Sequence, residues 1–413
     1  MATRCAIYLV AHQPRRLRLP SPVVPAGMST TGVERVLFDD VMNRAYFQRV
    51  LEKCYAPTTE LLSRFATSGT KLNLGMSGSL RWQAERWAPD WLARWDALLR
   101  MDAVEAVAVE PHHGFLFAVD MPAFVRSMRR EAQAIQSRSG RRPRVADTTE
   151  MWHSPALAAG LSDAGFRAQV ADGRPSLLGW RLPTHLYRLP EPPGLFVVPR
   201  HVELSDDVGY RFSDRTWDGW PLRPDDYARW IREAEGSFVF IAWDFETFGE
   251  HHWAESGIFE FLTELPEALD RAGVTLCRLG DLVEELGVTS YELPTVSDAV
   301  TWAGTGSPDF FLGNAPQRQI FRLMHDVYAL GQRRGPAAAE VARWLLQSDH
   351  LHLLHWYGRT GPEAEVSAYF TPKEWWPLGG EGIVREMVEV YRQFANWALV
   401  ASPGQSGAAR RNR

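Results

Sequence analysis

Phe238-Val-Phe-Ile-Ala-Trp-Asp-Phe-Glu-Thr-Phe-Gly-Glu-His-His-Trp253 opens as an apolar run and closes in a cluster of ionisable groups. The run has the composition of a strand buried on both faces, as central parallel strands are. Asp244, Glu246, Glu250, His251 and His252 then fall within nine residues. Carboxylates and imidazoles at the end of a buried strand are costly to desolvate and add little to a fold. The pattern therefore predicts the floor of an active site. Alternation with period two puts Asp244 and Glu246 on one face of the strand.

Working outward, the same pattern recurs. Cys5 to Val10 is apolar and delivers His12-Gln13-Pro14 to a loop. Leu72 to Met76 leads to Ser77, Val104 to Val109 to Glu110-Pro-His-His113, Arg144 to Asp147 to Thr149-Glu150, and Phe166 to Val170 to Asp172. Amphipathic helices separate these runs. Asp120 and Ser154 stand at N-cap positions with Pro122 and Pro155 in the first turns, and Gly165 closes a helix. Val274 to Leu279 reads as a last strand. Strands alternating with helices imply a parallel sheet with helical crossovers. A closed barrel and an open doubly wound sheet both carry ligands at the C-terminal strand ends, where these polar residues fall. No glycine-rich phosphate loop follows the first strand, which excludes a nucleotide site of that kind.

The region 175–221 is rich in proline, arginine and aromatics, holds one apolar strand at Leu195 to Val198, and reads as an insertion over one end of the core. Three amphipathic helices, 314–333, 337–356 and 382–401, follow without strands between them. The expected organisation is a catalytic domain over 1–290, a helical domain over 291–401 and a flexible tail over 402–413.

The net charge of -5 argues against nucleic acid as the main partner. No apolar run approaches the ~20 residues that span a bilayer, and the N-terminal run is too short for a signal peptide. Three scattered cysteines, Cys5, Cys54 and Cys277, form no disulfide framework and fit a reducing cytoplasm. The 17 tryptophans supply both large core fillers and flat faces on which sugar rings stack.

Two carboxylates on separate strand ends are the minimum for glycoside hydrolysis. Glu110, Glu150, Asp172, Asp244 and Glu246 are candidates, and spacing does not choose among them. A competing chemistry uses His12, His112, His113, His251 and His252 with Asp244 as a zinc site for a metal-dependent carbohydrate deacetylase or esterase. A third reading is a binding or regulatory protein that keeps the cleft but has lost turnover. Gln347-Ser-Asp-His350 lies in an apolar helical stretch, as either a self-satisfied polar turn or a tip reaching over the cleft.

These motifs resemble glycoside hydrolase family 57. His12-Gln13-Pro14 is similar to its opening motif, and Trp243-Asp-Phe-Glu-Thr-Phe-Gly-Glu-His251 to its fourth motif in the cytoplasmic α-amylase-like branch. Thr149-Glu150 stands where the third belongs. The resemblance implies a (β/α)7 barrel, an incomplete TIM-like fold, followed by an all-α C-terminal domain. It implies retaining hydrolysis or glucanosyl transfer on α-glucans such as maltodextrin, starch or glycogen, without metal or other cofactor. Carried over by position, Glu150 is the nucleophile and Asp244 the acid/base, expected roughly 5–5.5 Å apart. His12, Gln13, Glu110, His113, Trp243, Glu246, His251, Trp302, Asp309, Asp349 and His350 are the expected substrate-binding residues. Departures occur at Met151-Trp152-His153, at Glu110-Pro-His-His113 and in Trp302-Ala-Gly-Thr-Gly-Ser-Pro-Asp-Phe-Phe311, which lacks the charged residues usual there.

Overall fold

Ten strands form one sheet in the computed structural model, which describes residues 1–192, 194–294, 296 and 298–400. The tail expected at 402–413 lies outside the described residues. The strands are β1 (Arg4–Ala11), β2 (Leu72–Met76), β3 (Val104–Val109), β4 (Val145–Asp147) and β5 (Ala168–Asp172). β6 (Tyr187–Arg188), β7 (Phe196–Arg200), β8 (Val239–Asp244), β9 (Thr275–Leu276) and β10 (Tyr291–Glu292) follow. Their order is β10-β6-β7-β5-β4-β3-β2-β1-β8, with β9 on β1, and only β6 and β7 pair antiparallel. The seven long parallel strands are thus β1 to β5, β7 and β8.

Period-two alternation explains why this sheet curls around its own contents. Ala6, Tyr8 and Val10 of β1 share one cluster with Val107 and Val109 of β3 and Val145 of β4. Ala168 and Val170 of β5, Phe196 and Val198 of β7, and Phe240 and Ala242 of β8 complete it. Side chains from six of the seven staves filling one interior are the packing of a barrel. β7 and β8 close it incompletely. His201 N–H donates to Phe240 O at 2.8 Å, and the Arg200 guanidinium donates to Ala242 O at 3.1 Å. One main-chain amide and one side chain thereby satisfy edge carbonyls that a full ladder would otherwise pair. These findings give the incomplete (β/α)7 barrel expected from the motifs.

Two expectations change. Phe196–Arg200 is not part of an insertion: it pairs in parallel with β5 over Ala168↔Phe196 to Asp172↔Arg200 and is a stave of the barrel. Its apolar run, Leu195 to Val198, is legible as a strand, but the proline- and arginine-rich flanks hide its place in the barrel sheet. Conversely, the expected last strand 274–279 shrinks to Thr275–Leu276. The helix after it, Leu279–Leu286, places Leu279, Leu282 and Val283 in the barrel cluster from the N-terminal end. Strand side chains cap that helix: Asn73 Oδ1 accepts from Leu279 N–H at 2.7 Å, and Glu105 Oε2 from Gly280 N–H at 2.7 Å.

The chain divides into two compact units, and the division is discontinuous. The barrel unit comprises Met1–Gln13, Arg44–His113 and Asp120–Ser307. The helical unit comprises Pro14–Asn43, Gly114–Val119 and Pro308–Arg413. Within it the long helices Ala315–Arg334 and Gly379–Leu399 bury Ile320, Met324, Val327 and Met387, Tyr391, Phe394 respectively. Arg15 is buried there, paired with Glu34 at 2.7 Å and lying over the Phe38 and Trp344 rings. The helix expected over 337–356 is broken after Trp344. Gln347 leaves helical geometry to bridge Gly114 and to accept Arg15 N–H at 3.1 Å.

Candidate active site

Parallel pairing carries the polar residues to one edge of the barrel. Ala11 is in register with Met76, Val10 with Asp244, Val109 with Asp147 and Asp172 with Arg200. The residues that follow these positions, His12, Ser77, Glu110, Glu150 and Glu246, therefore emerge at the same C-terminal end.

Glu150 sits in a strained turn. Its φ is +58° and that of Met151 +49°, and His113 adopts +50°. Left-handed backbone costs a non-glycine residue of order 1–3 kcal/mol and concentrates at functional sites. The carboxylate is held by two donors' worth of contacts. Trp302 Nε1–H donates to Oε2 at 2.9 Å, and His113 Nε2 lies 3.3 Å from Oε1. His113 stacks on His12 with ring centroids 4.0 Å apart, and His12 Nδ1 lies 2.8 Å from Ser77 Oγ.

On the facing strand, Asp244 is half-buried at the end of β8. It shares interior parity with Phe240 and Ala242. Glu246 follows in a short 3-10 turn and is buried. Its Oε1 accepts from the Tyr55 hydroxyl at 2.5 Å and from His12 N–H at 3.1 Å. Burial, then the neighbouring Asp244 charge, pushes the Glu246 carboxyl up to about 8. Tyr55 is delivered by a wide π-turn, Leu51–Tyr55. Pro57 two residues on has no N–H to return to the Lys53 carbonyl, which favours such a break.

A second buried carboxyl lies beneath Glu150. Asp147 accepts from the Tyr8 hydroxyl at 2.8 Å, and burial pushes it up to about 7, with the Glu150 charge adding to the rise. Tyr8 reaches it across β2 because Gly75 has no side chain. A Cβ there would overlap Tyr8 Oη and lie 2.7 Å from Val109 Cγ2. Desolvation, then the charges of Asp244, Asp206 and Glu150, disfavour ionisation of Tyr210.

Several expected site residues take other places. Trp243 has the opposite parity to Asp244, so its indole is buried outside the barrel, donating to Ser205 O at 2.9 Å beside Tyr227 and Phe248. It presents no face to a sugar. Asp172 is fully buried between Arg174 and Arg200, at 2.5 and 3.2 Å, which commits it to ion pairs rather than proton transfer. Gln13 offers its main-chain carbonyl to Ser79 and Gln83 and its side chain to Tyr55. Glu110 is buried with His112 Nδ1 at 4.0 Å. Burial lowers His251 to about 4, so its ring is neutral above that pH. His252 ties Ser213, at 2.7 Å, to the Gly209 carbonyl, at 3.2 Å.

Asp309, Asp349 and His350 belong to the helical unit. Asp309 and Asp349 open the short helices Asp309–Leu312 and Asp349–His352. His350 is buried, with Nδ1 2.9 Å from the Tyr391 hydroxyl, so it is a core residue of that unit rather than a sugar ligand.

The zinc alternative needs three converging donors. Among the described residues no three His, Cys, Asp or Glu side chains form such a group. Residues missed in the sequence are Tyr8, Tyr55, Asp147, Tyr210 and Thr301. A tyrosine inside an otherwise aliphatic strand was one available signal, at Tyr8.

The profile of Glycosyl hydrolase family 57 matches residues 6–297, from the first strand to beyond β10. The chain belongs to glycosyl hydrolase family 57. A Methanocaldococcus jannaschii protein provisionally named an alpha-amylase is 33% identical over 298 residues, which is 70% of this chain. The chain spans 62% of that relative's length. The family 57 branching enzyme of Thermococcus kodakaraensis superposes with a TM-score of 0.62 at 14% identity, covering 97% of this chain and 96% of the other. The alpha-amylase AmyC of Thermotoga maritima gives 0.56 at 13% identity, over 96% and 99%. At these identities the two structural likenesses establish a shared fold.

Proposed function

We propose that this family 57 chain is a retaining glycosidase or transglycosylase acting on α-glucans, with Glu150 as nucleophile and Asp244 as acid/base. The observation that carries the reading is the strained, doubly held Glu150 carboxylate at the same barrel end as the half-buried Asp244. In the first step a Glu150 oxygen bonds the anomeric carbon as the glycosidic C–O bond breaks. The Asp244 proton passes to the leaving oxygen. In the second, Asp244 takes a proton from water or an acceptor hydroxyl, whose oxygen displaces Glu150 from the anomeric carbon. Stacked His12 and His113 and the Glu246 carboxyl line the approach and supply hydrogen bonds to sugar hydroxyls.

Three free cysteines, Cys5, Cys54 and Cys277, support a reducing cytoplasm as the place of action. Among the described residues no helix is long and apolar enough to cross a membrane.

Incubation with maltoheptaose tests the reading. Short products alone mean hydrolysis, a ladder above seven units means transfer, and new branch points mean branching. Trapping with a fluorinated glycosyl fluoride should label Glu150. A label elsewhere, or full activity in Glu150→Gln, overturns the assignment.

A further inference from the structure

Residues 300–302 lie far from Glu150 in sequence, yet they grip its turn along their whole length. His153 N–H donates to Val300 O at 2.7 Å, and Val300 N–H to His153 O at 2.9 Å. The Glu150 carbonyl accepts twice, from Thr301 Oγ1–H at 2.6 Å and from Trp302 N–H at 3.1 Å. The Trp302 indole then reaches the Glu150 carboxylate at 2.9 Å. The turn held in this way contains the two consecutive left-handed residues, Glu150 and Met151. A strained conformation persists only where its surroundings over-determine it.

The grip is itself anchored. Thr301 N–H donates to Gly306 O at 3.1 Å, across a tight turn in which Gly306 has φ +88°. Arg174 donates to Trp302 O at 3.3 Å, and the Arg200 guanidinium lies 5.7 Å from the Trp302 ring centroid. Arg174 and Arg200 are the two arginines paired to Asp172. The ion-pair cluster at the ends of β5 and β7 thus holds Trp302 by its main-chain carbonyl and borders its ring.

We infer that Thr301 and Trp302 are positioning residues for the nucleophile: the Thr301 hydroxyl holds its strained backbone, and the Trp302 indole N–H orients its carboxylate and keeps it ionised. The inference rests on Glu150 being the nucleophile. Indole N–H is a donor only, so it favours the charged carboxylate over the protonated acid. The same bond orients the carboxylate for attack and favours it as it departs in the second step, so its loss slows both formation and breakdown of the glycosyl-enzyme. An aromatic platform for sugar would act through its ring face and would need no N–H.

Trp302→Phe separates the two roles, because it keeps a ring and removes the donor. Expected are a kcat reduced by about 10–100-fold, a KM for maltoheptaose within about twofold, and an acidic limb of the kcat/KM pH profile moved up by about one unit. That magnitude is appropriate to the loss of one hydrogen bond to a charged group. Thr301→Val should lower kcat while leaving the acidic limb in place. A wild-type acidic limb and kcat in Trp302→Phe overturn the proposal.

An independent readout does not need turnover. In protein labelled with 15N-tryptophan, the indole resonance absent from Trp302→Phe should titrate with pH in the wild type and stop titrating in Glu150→Gln. If it does so while Glu150→Gln stays active, the contact stands and the nucleophile assignment fails. A resonance that ignores both pH and Glu150→Gln removes the contact itself.

Discussion

Replacing Glu246 by glutamine tests the electrostatics of the barrel mouth without touching either proposed catalytic carboxylate. Glu246 is buried and accepts from the Tyr55 hydroxyl at 2.5 Å and His12 N–H at 3.1 Å. Its ordinary value is 4.5, and burial followed by the Asp244 charge raises it to about 8. A carboxyl whose folded value is raised stabilises the fold fully below its unfolded value. That contribution is lost as pH climbs through the folded value. A rise from 4.5 to about 8, at ~1.4 kcal/mol per pH unit, sets an upper bound of about 5 kcal/mol lost between mildly acidic and alkaline pH. Glutamine keeps an oxygen to accept both donors but cannot ionise. Wild type and Glu246→Gln should therefore differ little in urea midpoint near pH 5. The variant should gain steadily on wild type from pH 5 to 8, by a few kcal/mol. Unfolding is followed by far-UV circular dichroism and tryptophan fluorescence, which must coincide. A difference between the two proteins that stays constant within ~0.5 kcal/mol across this range refutes the argument.

Tyr8→Phe removes the donor to Asp147, whose value is already pushed up to about 7. The expected loss is about 1–2 kcal/mol, larger at pH 8 than at pH 5 because an ionised Asp147 is then the form left without its donor; equal losses at both pH values contradict it. Gly75→Ala puts a methyl against Tyr8 Oη and Val109 Cγ2 and should cost about 1–3 kcal/mol. Added to Tyr8→Phe, the same substitution should cost less than on wild type, and strict additivity would show that the two side chains do not meet. His252→Ala should speed hydrogen exchange over 209–213, because His252 ties Ser213 to Gly209; unchanged exchange there removes the tie.

Much of the fold was legible because periodicity is a local property. The runs ending at His12, Ser77, Glu110, Glu150 and Asp244 became strands β1 to β4 and β8, and the caps at Asp120, Ser154 and Gly165 stand where expected. Misreadings came where one local signal opposed another. The apolar run at β7 reads as a strand, but its proline-rich flanks make it look like part of an insertion, and Val274–Leu279 looked like a strand but serves mostly as the lead into the helix that fills the barrel's lower end. In the candidate site, parity could have removed Trp243, since it alternates with Asp244 and so faces outward. No local pattern could have shown that Asp172 is spent on Arg174 and Arg200, or that His350 lies under Tyr391.

The sequence by itself determined which groups reach the mouth of the barrel, because strand parity and the residue after each apolar run are written in the order of the chain. It also determined the family, through motifs whose spacing is fixed by that order. Only the tertiary structure decided what state those groups are in. Thr301 and Trp302 meet Glu150 from about 150 residues away, Tyr55 meets Glu246 from 191, and Tyr8 meets Asp147 from 139. Desolvation and hydrogen bonding act between atoms a few ångströms apart. They depend on which staves the sheet makes neighbours, and that follows from the curl and closure of the whole barrel.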